Sequence, residues 1–147
     1  MKSRILTADG SERSFVLVLE NGEEAFAAIS RFAGQEEIGG ASLTAIGAFS
    51  KATVGFFDFS TRTYNKIPID EQSEVLSALG DIAIGDDGKA SLHLHVVLGL
   101  SDGSTRGGHF IEGIVRPTLE IVIHETPAHL RRRKQGDLGI ALLDPGG

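Results

Sequence analysis

The chain has 147 residues, 14 of them Lys or Arg and 20 Asp or Glu, for a net charge of −6. That length suits one domain spanning residues 1–147, and 41% hydrophobic with 23% charged residues is ordinary globular composition, which excludes a disordered chain. There is no cysteine, so disulfides, thiolate nucleophiles and sulfur-ligated metal centres are excluded, and any metal must sit on His, Asp or Glu.

The longest uncharged stretch, the 13 residues from Ile38 to Ser50, falls short of the roughly 18 that suggest a membrane span. Lys2, Arg4, Asp9, Glu12 and Arg13 do not suit the apolar core of a secretory signal, so a cytoplasmic protein with no membrane contact is expected. Glycine supplies 19 of the 147 residues, which favours tight turns and close backbone approaches over long helices.

In chain order, Ser14 to Leu19 reads as a strand. Asn21-Gly22 then offers a turn and a helix N-cap, with Glu23 and Glu24 suiting the first-turn dipole. Ala25, Phe26, Ala28, Ile29 and Phe32 recur at helical spacing, and Gly34 ends the pattern. β-branched and aromatic runs follow at Leu43 to Phe49, Thr53 to Phe59 and Thr61 to Ile69. Ser73 to Ile84 mixes helical and strand signals and is read as strand. Gly85-Asp86-Asp87-Gly88 marks a turn.

Ser91 to Leu98 alternates, with Leu92, Leu94, Val96 and Leu98 on one face and His93, His95 and Val97 on the other. A glycine-rich connection, Gly99 to Gly108, precedes strands at His109 to Val115 and Leu119 to His124 with Pro117 at their junction. Leu138 to Leu143 is a last apolar strand. One early helix and many antiparallel-looking strands make this an α+β domain, the helix packed on a curled, mostly antiparallel sheet.

His93, His95 and His109 form H-x-H followed by a third histidine. Residues i and i+2 of a strand project to one side about 6 to 7 Å apart, so two imidazoles can converge on one ion, with a third coming from a neighbouring strand. Three such ligands leave an open coordination position. The same pattern also fits surface or interface histidines on a half-exposed strand.

His124 and His129 show no comparable pattern; Glu120 and His124 share a face and suit a salt link. Ser91, Ser101 and Ser104 lie outside any G-x-S-x-G elbow. Arg131-Arg132-Arg133-Lys134 is a basic run, read as a solvated loop or a clamp on acidic neighbours across a subunit boundary.

Taken together, several segments resemble the PPC domain, also called DUF296, over about Ser3 to Leu143. They are Arg13 to Leu19 with Gly22, Ala45-Ile46-Gly47-Ala48-Phe49, Val54-Gly55-Phe56-Phe57-Asp58, Glu74 to Ile82, His93-Leu94-His95 and Gly107-Gly108-His109. The resemblance implies an antiparallel α+β domain that assembles as a homotrimer. Single-domain prokaryotic members are similar in fold to the zinc enzyme α-acetolactate decarboxylase, where an H-x-H and a later histidine hold the metal. The matching positions are His93, His95 and His109, and an all-imidazole set points to zinc.

Proteins of this kind are often named DNA-binding and associate with protein partners. Direct nucleic-acid contact is not expected here, because no R-G-R-P-type sequence is present and residues 1–128 carry 10 basic and 18 acidic side chains, 10 − 18 = −8. Two functions are expected from these residues: a homotrimeric module with a three-histidine metal site, or a metal-dependent lyase or hydrolase acting on a small oxoacid or ester.

Overall fold

The computed structural model describes residues 1–10 and 12–146. Among them, nine strands and one helix run in the order β1 (Lys2–Asp9), β2 (Glu12–Glu20), α1 (Ala25–Gln35), β3 (Gly40–Asp58), β4 (Thr63–Ile69), β5 (Ser73–Ile84), β6 (Ala90–Gly99), β7 (Thr105–Glu125), β8 (Arg131–Gln135) and β9 (Ile140–Asp144). All nine strands join one sheet, and every pairing is antiparallel except a single parallel one at Ile84 and Arg131. The expected curled antiparallel sheet with one helix is present.

β3 and β7 form the axis, paired from Ala41 opposite Glu125 to Gly55 opposite His109. β5 pairs the first half of β3, β6 pairs β5, and β6 then returns to the start of β7, closing a ring β3-β5-β6-β7. Closure covers strand edges that would otherwise be open, and register shifts at Ala45/Gly47, Gly47/Phe49 and Val75/Ser77 supply the bends it needs. A Cβ on Gly47 would lie 2.3 Å from the Thr118 carbonyl oxygen, so β7 crosses β3 closely at this bend.

α1 buries Ala25, Ala28, Ile29, Phe32 and Ala33 against the sheet. Phe32 meets Phe15 edge-on at 5.4 Å, while Phe110 stacks on Phe49 at 5.4 Å and leans on Phe26 at 6.5 Å.

Several element boundaries differ from the sequence reading. Glu24, not Asn21, caps the helix, its carboxylate accepting from the Phe26 and Ala27 amides at 3.0 and 2.7 Å. Gly22 is committed elsewhere, donating its amide to the Val115 carbonyl at 2.9 Å, so the helix starts later. It also runs through Gly34, and the chain leaves only at Glu37, whose φ of 53° breaks the helical path.

The two runs at Leu43 to Phe49 and Thr53 to Phe59 are one strand, β3, because the partner β7 is equally continuous. β7 passes straight through Pro117, and the bulge there absorbs the missing donor. It also absorbs Gly107 and Gly108, leaving only Leu100 to Ser104 as the loop. β1 was not legible as a strand, and the basic run is not a loop but the strand β8, turning at Gln135–Gly139 into β9, which begins at Ile140.

Candidate metal centre

β6 alternates as its sequence requires: Leu92, Leu94, Val96 and Leu98 are buried in the core, and His93 and His95 take the opposite face. β7 runs antiparallel beside it and places His109 directly opposite His95. The ring centres stand 5.0 Å apart for His93 and His95, 5.1 Å for His93 and His109, and 5.6 Å for His95 and His109. One nitrogen from each lies within 4.8 Å of the others, a separation that small side-chain rotations close onto a single cation.

The surroundings fix these rings in a ligand-competent state. Tyr64 of β4 stacks on His109 with centres 4.6 Å apart and planes 24° apart. Burial, and then the positive charges that His93, His95 and Arg132 would present, push the His109 imidazole down to about 4. Burial also lowers His93, helped by Arg132 and His95 and opposed by Asp81. Both rings are therefore neutral near pH 7, with a lone pair to donate. His109 Nδ1 is buried without a hydrogen-bond partner, a costly condition for a polar nitrogen, and a bound cation at this triad fits it.

Asp81 of β5 is the direct register partner of His93. Its Oδ2 lies 3.9 Å from His93 Nδ1, and its other oxygen accepts from the Arg132 guanidinium. Arg132 is only 5% exposed. Its neighbour Arg133 pairs through Nε with Asp144 at 3.1 Å, so Arg132 and Arg133 of the basic run both pair with acidic groups of their own chain.

Sequence reasoning missed Arg132 because R-R-R-K has no apolar residue to reveal which side of the strand faces in. The available signal was Asp81, an acid inside an apolar strand and in need of a cation. Tyr64, His93, His95, His109, Arg132 and Leu142 line parts of one cavity of about 480 Å³, walled on one side by the β8–β9 hairpin.

The remaining sequence candidates lie elsewhere or play other roles. His124 pairs with the Ser14 hydroxyl at 2.9 Å, not with Glu120, because β2 lies directly alongside. His129 packs on Gly39, where a Cβ would fall 2.9 Å from its Nδ1. Ser104 closes its loop by donating to Asp102 at 2.6 Å, and Ser91 reaches the edge of the histidine cavity. Among the described residues, no helix is long and apolar enough to cross a membrane.

The Plants and Prokaryotes Conserved (PCC) domain family matches residues 6–127. The chain belongs to this family. The PCC chain is similar to the plant- and prokaryote-conserved (PPC) protein of Pyrococcus horikoshii, at 30% identity and a TM-score of 0.84, over 94% of this chain and 97% of that one. A metal-containing protein from Archaeoglobus fulgidus is 30% identical with a TM-score of 0.80, over 88% and 91% of the two chains. A candidate DNA-binding protein from Bacteroides thetaiotaomicron is 27% identical with a TM-score of 0.85, over 97% and 96%.

A Staphylococcus aureus protein of unknown function, similar to α-acetolactate decarboxylase, shares the fold at 13% identity and a TM-score of 0.55, over 76% and 51% of the two chains. Bifunctional GlmU proteins from two Synechococcus strains are 33% and 30% identical over 119 and 137 residues. The PCC chain spans only about a fifth of their length, 18% and 20%.

Proposed function

We propose that this protein is a PCC-domain module that binds one divalent cation, zinc above others, through His93, His95 and His109. The observation that carries the reading is the convergence of three imidazoles from adjoining strands, with His109 Nδ1 buried and unpartnered beside a cavity. A set of three imidazole nitrogens suits zinc and leaves one position open. The metal-containing relative from Archaeoglobus fulgidus supports it.

The module assembles as a homotrimer in this reading. Ile46, Leu76 and Leu79 support that assembly: they are 59%, 54% and 58% exposed and cluster with Val16 and Val122 around one groove of the sheet. Two of the four cations of the basic strand are already engaged, Arg132 buried on Asp81 and Arg133 paired with Asp144, which lessens what the strand offers a phosphate backbone.

A second reading, a metal-dependent lyase or hydrolase acting on a small oxoacid or ester, is favoured by the cavity adjoining the histidines. A cation held there supplies Lewis-acid polarisation of a carbonyl group. In either case Asp81 stands within a small ring rotation of accepting from His93, Tyr64 stacks on His109, and the β8–β9 hairpin walls one side of the cavity.

The test is the metal content of tag-free protein by mass spectrometry after dialysis against zinc. About one zinc per chain, lost in His93→Ala and in His109→Ala, is the expected result. A wild-type chain that stays empty would overturn the reading. Light scattering that returns a monomer mass at micromolar concentration would remove the trimer.

A further inference from the structure

The guanidinium of Arg132 is buried on the cavity side of β8, beside the three histidines. Its only hydrogen bond among the described residues goes to Asp81, and its Nε is buried with no partner. An arginine carries five donors, so this group lacks acceptors that a ligand would supply. Asp81 cancels its charge, leaving the charge of a cation on the histidines to be balanced by something entering the cavity. The wall on the β9 side is apolar: Ile140, Ala141 and Leu142. That wall lies beyond residues 6–127, the part matched by the family.

We propose that the cavity takes a small carboxylate, its head held by Arg132 beside the cation and its short hydrocarbon body against Ile140 and Leu142. The planar guanidinium fork matches a carboxylate. Inorganic phosphate shares the anionic head but has no body to cover the apolar wall. The proposal rests on the three-histidine cation site and names the class of ligand that site accepts.

The experiment loads the full chain with cobalt(II) and follows its visible absorption during titration with butyrate and, separately, with inorganic phosphate. Butyrate shifts the cobalt bands saturably, and phosphate does so more weakly. Arg132→Gln, titrated at a cobalt concentration high enough to keep it loaded, binds butyrate about ten- to a hundredfold more weakly, the range for hydrogen bonds to a charged group. Leu142→Asp, at a partly exposed position away from the Asp81 pair, weakens butyrate as well and decides the matter if Arg132→Gln does not fold.

Cobalt-loaded wild type that ignores butyrate overturns this proposal alone. So does unchanged butyrate affinity in Arg132→Gln, or in Leu142→Asp where Arg132→Gln does not fold, or phosphate binding tighter than butyrate. Wild type that takes up no cobalt overturns the cation site, and this proposal with it.

Discussion

His95 and His109 face each other as direct register partners across the β6–β7 ladder, so imidazoles 14 residues apart in sequence end with ring centres 5.6 Å apart. That ladder runs only from His95 opposite His109 to Gly99 opposite Thr105, yet it closes the ring of strands. A cation bound by both residues would tie shut the shortest seam of the β3-β5-β6-β7 ring.

Zinc should therefore stabilise the fold itself. A ligand that binds only the folded state adds about 2.7 kcal/mol at a hundredfold excess over its Kd. Urea unfolding of zinc-loaded wild type is expected at a higher midpoint than in chelator, with the gain abolished in His95→Ala. Equal midpoints in wild type with and without chelator would exclude zinc as a clamp on this seam.

Asp81 stands beside the three histidines without being one of them. Its Oδ2 lies 3.9 Å from His93 Nδ1 and its other oxygen is fixed by Arg132, so a small rotation of the ring would let it accept from Nδ1 and leave the other ring nitrogen for a cation. Asp81→Asn is expected to weaken zinc about 10- to 100-fold in competition with a chromophoric chelator, as loss of such a partner commonly does. Wild-type affinity in Asp81→Asn would deny it a positioning role.

Gly80 is the point where β5 must pass β6 without a side chain. A Cβ there would fall 2.0 Å from the carbonyl oxygen of His93 and 2.9 Å from the Leu94 Cα, both backbone atoms that cannot rotate away. Gly80→Ala must therefore splay the strands at His93. A loss of about 1–3 kcal/mol in unfolding free energy, or more, is expected, together with weaker zinc binding. Gly136→Ala, where no atom lies within 4 Å, is the control and should change neither. A Gly80→Ala variant as stable as that control would show that the strands part at no cost.

The alternation of β6 made its two faces readable, because leucines and histidines differ so sharply in their preference for water. The gathering of His109 with His93 and His95 was legible only as a spacing, since register across β6 and β7 is a long-range property. Pro117 reads as the junction of two strands, and Gly47 as a weak point within one, because local propensity penalises both. The sheet instead uses them as bends, with partner strands on both sides holding the chain extended. Arg132 was hidden for a related reason: its burial depends on Asp81, 51 residues away, and no local pattern carries that pairing.

The lowered His109 and His93 values give the metal-free protein a specific acid sensitivity. The folded His109 takes up its proton only near about 4, whereas an unfolded histidine does so near 6.5. Between those values the unfolded state binds more protons, so stability is full above about 6.5 and falls as pH drops through the window. His93 is shifted the same way.

The carboxylates held below their ordinary range, Glu20, Glu23, Asp58 and Asp102, lose their contribution only at and below their unfolded values of about 4. Measurements from pH 7 to 5 therefore isolate the imidazoles. The urea midpoint of metal-free wild type should fall across that range, and His109→Asn should flatten the fall, with His93→Asn flattening it less. A midpoint in wild type that does not move from pH 7 to 5, or an unaltered slope in His109→Asn, would show that these rings are solvated rather than withdrawn from water.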